Sequence, residues 1–211
     1  MKKILALSFA CAILAASPLS HAQFGNLLNS AKSAVGGSGS SAGADMGAQQ
    51  DQLVRTYMAA GKDVVTANSH LADALGIQAQ VVNDAATSDA FSAKDIEAQD
   101  KAISASSAAV SEALKSGATL KDAEAKTKYA KGLLFLATGV KKYTNMGKDA
   151  QSFTSGISGV SPLQIGKFQS GLYIAKGVPT SVSNLTSVLK SAVDFAKSNG
   201  VDIPKDATGL L

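Results

Sequence analysis

The sequence predicts an all-α protein: an elongated antiparallel four-helix-type bundle with one helix kinked or broken near Pro179. Two patterns and one property of the composition lead there. From Asp45 to about Gly200 the apolar residues recur at spacings of three and four, the period of an amphipathic helix. No stretch competes with the two-residue alternation of a strand. The composition is helix-compatible, with 37 Ala, 26 Ser and no Trp among 211 residues, 45% of them hydrophobic and 17% charged.

The chain opens on residues 1–22, which read as a secretory signal peptide. Lys2 and Lys3 form a positive start, Ile4 to Ala16 is an apolar run too short to span a bilayer, and Ser20-His21-Ala22 is a small-x-small cleavage site after Pro18. Cys11 lies inside the apolar run behind Phe9, which argues against a lipidated cysteine. Cleavage after Ala22 removes the single Cys and lowers the formal net charge from +4 to +2. The expected location is the bacterial periplasm, or outside the cell, with no disulfide to hold the fold and no transmembrane span after cleavage.

Residues 23–43 follow as a short amphipathic segment and a linker. Phe24, Leu27, Leu28, Ala31 and Val35 share one face, and the Gly/Ser run from Gly36 to Gly43 has the composition of a flexible tether. The bundle itself is expected over residues 44–200. Its first helix runs from about Asp45 to Leu75, with a heptad seam of Leu53, Tyr57, Ala60, Val64, Ala67, Leu71 and Ala74. Gly76 ends it. A short helix is expected over Gln78 to Ala86.

Ser92-Ala93-Lys94-Asp95 resembles a capping box and opens a helix whose stripe is Ile96, Ile103 and Val110, closed at Gly117. Ser106, Ser107 and Ala109 make that stripe weak, so this helix is expected to pack on one side. Thr119-Leu120-Lys121-Asp122 is a second cap. It opens a pattern of Tyr129, Leu133, Leu136, Val140, Tyr143, Gly147, Ala150, Thr154 and Ile157, about 40 residues of helix in which Gly147 and Gly156 are the points where a break could fall. Ser161-Pro162 starts the last helical run, which carries Pro179 in its interior and ends at Gly200. The tail, residues 201–211, is expected to be extended.

The residues that carry chemistry are few. After cleavage one His, no Cys and three Glu remain. His70 has no partner one turn away, so a helical metal pair is absent, and no nucleophile motif precedes a turn. The Asp residues at helix starts, Asp45, Asp95 and Asp122, are explained by capping. The expectation is therefore no enzyme, no catalytic residue, no metal and no cofactor. Nucleic acid is excluded as a partner because the only Arg is Arg55.

What remains is surface. Seven lysines from Lys121 to Lys148 face two acids, Asp122 and Glu124, and of these Lys128, Lys131, Lys141 and Lys142 are candidates for contact with an anionic surface. Leu133 to Val140 is uncharged all round, so Leu134 or Phe135 points away from a single core face. Leu172 to Ala175, with Tyr173, has the same excess. Gly132 and Gly139, with Leu136 and Tyr143, form one face suited to a close helix crossing or a narrow apolar slot. These residues make the expected ligand- or partner-binding set Gly132, Leu134, Phe135, Leu136, Gly139, Tyr143 and Tyr173. The first functional reading is an exported, non-enzymatic bundle acting by protein–protein interaction with an unidentified envelope protein. The alternative is a periplasmic carrier of a lipid or other hydrophobic small molecule.

Overall fold

The computed structural model describes residues 41–77 and 93–211; the signal peptide, the amphipathic segment, most of the linker and the short helix expected over Gln78 to Ala86 lie outside the described residues. Within them the chain is helical and without strands. The elements are α1 (Ser41–Leu75), α2 (Ala93–Lys115), α3 (Ala123–Ile157), α4 (Pro162–Ile165), a 3-10 turn (Gly166–Phe168), α5 (Gln169–Ser198) and α6 (Lys205–Thr208).

The helix ends follow local rules. Gly76, Gly117 and Gly200 all have positive φ and stop α1, α2 and α5 as the sequence predicts. After each of them an amide reaches back five residues: Ile77 to the Ala72 carbonyl, Ala118 to Ala113 and Val201 to Ala196. This is the Schellman closure that needs a left-handed residue. The start of α3 falls later than expected. Its cap is Asp122, whose carboxylate accepts the Ala125 amide at 2.8 Å, rather than Thr119.

The cores of α1 and α3 come together in opposite directions. Tyr57 meets Tyr143 edge to face with ring centroids 5.1 Å apart, Leu71 lies against Gly132, and Met46 lies against Gly156. Every residue of the predicted α1 seam is buried, from Leu53 to Ala74. On α3 the predicted stripe holds from Tyr129 to Tyr143 and again at Ala150, but Met146 and Phe153 are buried in place of the predicted Gly147 and Thr154, and Ile157 is only half-buried. α3 also runs against α5, with Tyr129 beside Phe195 and Phe153 against Gly171.

The remaining directions depart from an antiparallel bundle. Along α1 from Tyr57 to Asn68, the partners on α2 advance from Asp100 to Ser106 and Ser107, so α1 and α2 are parallel. α5 also runs with α1, since Gln50 bonds the Gly171 amide and Tyr57 lies beside Gly177. Three helices therefore point one way and α3 the other. α3 and α2 each pack against both α1 and α5. Antiparallel neighbours were expected because short connections enforce them. The chain between α1 and α2 is long enough to lead back to the other end, which frees α2 from that rule.

The break near Pro179 is displaced. α5 runs unbroken through Pro179, which lies at the surface, where the carbonyl left without its N–H partner can face water. The interruption falls instead between Ile157 and Gln169. There Pro162 occupies the first turn of α4, and Phe168 is buried against Phe153. The tail departs as well. It is extended only to Pro204, then makes the single turn of α6, whose Ala207 is fully buried on the α3 side.

Candidate functional site

The glycine face of α3 is a helix crossing. A Cβ at Gly132 would stand 2.7 Å from Leu71 Cγ and 3.1 Å from the Ala67 carbonyl oxygen; one at Gly139 would stand 2.7 Å from Val64 Cγ2 and 3.2 Å from the Ala60 oxygen. The small residues that recur on α1 meet the glycines of α3, and the backbones touch. Leu136 is fully buried in the same seam. The apolar slot expected around Gly132, Leu136, Gly139 and Tyr143 is therefore closed: α1 fills it.

The surplus apolar residues separate. Leu134 is 43% exposed. Phe135 is partly covered, its ring stacked on the His70 imidazole at 5.7 Å between centroids. Of the candidate lysines, Lys142 pairs with Asp63 of α1 at 2.6 Å and Lys128 with Glu124 at 2.9 Å. Lys131 and Lys141 are exposed on the outer side of α3.

Tyr143 and Tyr173 belong to a different place, a groove between α2 and α5 that the sequence does not announce. Its volume is about 740 Å³. Ile103, Tyr143, Leu185 and Val188 supply its apolar lining, and Ser104, Ser107, Ser111, Thr180, Ser181 and Asn184 its polar lining. Tyr173 Oη donates to Asp100 Oδ2 at 2.8 Å and links α5 to α2. Tyr57 Oη donates to the other oxygen, Oδ1, at 2.7 Å. One carboxylate thus takes a proton donor from each of two helices.

Burial sets the electrostatics of this cluster. It raises Asp100 above the ordinary carboxylate range, against the two tyrosine hydrogen bonds that pull it down. Burial also raises Tyr57 and Tyr143 far above the usual phenol value, and Tyr173, the most open of the three, to about 12. At neutral pH the three phenols are protonated, so Tyr57 and Tyr173 serve as hydrogen-bond donors to Asp100. The arrangement fixes the relative position of α1, α2 and α5 and leaves the groove with hydroxyl, amide and Lys176 ammonium groups to meet a ligand.

Of the predicted set, then, the structure brings Tyr143 and Tyr173 together at the groove. It places Gly132, Leu136 and Gly139 in the core, Phe135 at the flank of α3 against His70 of α1, and Leu134 on the outer side. Asp100 escaped the sequence reading although it left a trace: it lies between Ile96 and Ile103, too far into its helix to be explained as a cap. Comparison with protein-family models, with curated proteins and with solved structures finds no match to this chain.

Proposed function

We propose that the chain is an exported, non-enzymatic binding protein of the bacterial envelope that acts by protein–protein interaction and holds its partner in the α2–α5 groove. The observation that carries this reading is the groove itself. Its volume lies within the roughly 300–1,000 Å³ of binding pockets, and it combines an apolar lining with a few converging polar groups. The state of its acid supports a binding role. A general base needs an oxygen turned toward a substrate proton, whereas both oxygens of Asp100 accept tyrosine hydroxyls. Export rests on the pattern of residues 1–22.

A photo-crosslinking side chain at Ala108, which lines the groove, tests the reading against the same side chain at Ala105, exposed on α2 outside it. The expected result in the parent bacterium is a discrete protein adduct from position 108 that position 105 does not give. Identical patterns from both positions would overturn it. The carrier reading is favoured by one feature, the apolar lining of Ile103, Leu185 and Val188. Native mass spectrometry of the mature protein separates the two: a lipid-mass adduct that Ala108→Trp removes would establish the carrier.

A further inference from the structure

The outer side of α3 is independent of the groove. Residues 127, 131, 134, 138, 141, 145, 148, 152 and 155 step by three and four along one line of the helix. They read Thr, Lys, Leu, Thr, Lys, Asn, Lys, Ser and Ser, with no acid among them. Lys131, Lys141 and Lys148 are exposed and form no ion pair among the described residues, whereas Lys128 and Lys142, just off the line, do. Leu134 lies between the first two, 43% exposed. Asp149, the nearest acid along the helix, is exposed and lies about 100° round the helix from Lys148, in the direction of Lys131, so it borders the stripe on one edge.

We propose that this stripe is a docking surface for an anionic lipid membrane. Lys131 and Lys148 are about 25 Å apart along a helix rising 1.5 Å per residue. A convex ridge of that length meets a plane along its whole extent, with Leu134 entering between head groups. The composition favours lipid over an acidic protein. Protein hot spots are rich in Trp, Tyr and Arg, and the stripe has none. Lysine acts as a point charge without the planar fork of arginine, which suits a surface where negative charge is spread rather than aimed. Each lysine held near an anionic bilayer strengthens binding roughly fivefold, so three together are worth on the order of a hundredfold.

The test is co-sedimentation of the mature protein with vesicles of phosphatidylglycerol and phosphatidylcholine, and with phosphatidylcholine alone, at low and high salt. The expected result is binding to the anionic vesicles only, weakened by salt. The triple variant Lys131→Glu, Lys141→Glu, Lys148→Glu should bind at least on the order of a hundredfold more weakly, and Leu134→Ser roughly fivefold. All four side chains face outward, so circular dichroism should show the parent helix content in both variants. Ala108→Trp, in the groove, should bind vesicles as the parent does, which separates failure of this surface from failure of the groove. Absence of binding to anionic vesicles, equal binding to neutral ones, or parental binding by the triple variant would overturn the proposal. Loss of a protein crosslink from position 145 in the triple variant, without vesicle binding, would overturn it in favour of an acidic protein.

Discussion

α1 makes two long contacts, and they are built from different materials. Toward α3 it presents Ala60, Val64, Ala67 and Leu71 to two glycines and Tyr57 to Tyr143, a seam closed by shape. Toward α2, whose Ile96, Ile103 and Val110 are also buried, polar links are added. Asn68 donates to the hydroxyls of Ser106 and Ser107 at 2.8 and 2.9 Å, the Gln99 amide donates to the Met58 carbonyl at 3.1 Å, and Asp100 accepts Tyr57. The Asn68 side-chain oxygen is buried and finds no hydrogen-bond partner among the described residues. Close packing of apolar groups is stabilising in proportion to the surface removed from water. A buried hydrogen bond returns little net energy but is expensive to leave unmade. The α1–α3 seam therefore supplies stability, and the α1–α2 seam supplies position. The groove lies on α2, the helix held by position.

The contrast can be broken at its tightest point. Gly139→Leu drives a branched side chain into Val64 and the Ala60 carbonyl, and overpacking of this kind costs about 3 kcal/mol or more. Urea denaturation should show a large fall in midpoint. A parental midpoint would mean that α1 and α3 can separate at little cost.

The polar seam should yield less. Tyr57→Phe removes one proton donor from a buried carboxylate, a loss of roughly 2 kcal/mol by the scale of hydrogen bonds to charged groups. Tyr173→Phe, at a half-exposed ring, should cost less than Tyr57→Phe by the same measurement. A reversed order would place the anchor of α2 on α5 rather than α1.

Asp100 sharpens the comparison through pH. Its carboxyl is raised above the value of 3.8, burial being the main cause, so the folded chain holds that proton more tightly than the unfolded chain. Its contribution is thus most favourable below the ordinary carboxylate range. It declines as pH climbs from about 3.8 through the raised value, then stays constant. Asp100→Asn should abolish that decline, seen as a flatter difference in urea midpoint against pH; an unchanged profile would assign the titration to another group. The smallest effect is expected where neither seam is touched. A Cβ at Gly147 meets nothing within 4 Å, so Gly147→Ala should stabilise α3 by about 0.5–1 kcal/mol through helix propensity alone.

Much of this was legible in the residues. The α1 seam, the α3 stripe as far as Tyr143 and the three glycine helix ends are local matters, fixed by periodicity and by backbone conformations few residues can adopt. The line of exposed lysines is local too, since helical geometry alone decides which of them share a face. Tertiary structure decided the rest. Gly132 and Gly139 read equally as a slot or a crossing until Val64 and Leu71 are seen to occupy the space. Pro179 looked like a break because its missing donor is written in the sequence, while its exposure, which makes that loss tolerable, is not. The parallel course of α1 and α2, and with it the meeting of Asp100, Tyr57 and Tyr173, depends on contacts between residues 43 and 73 positions apart. Pattern within a helix specifies which face is buried. Which helix covers that face, and in which direction it runs, follows only from packing them all together.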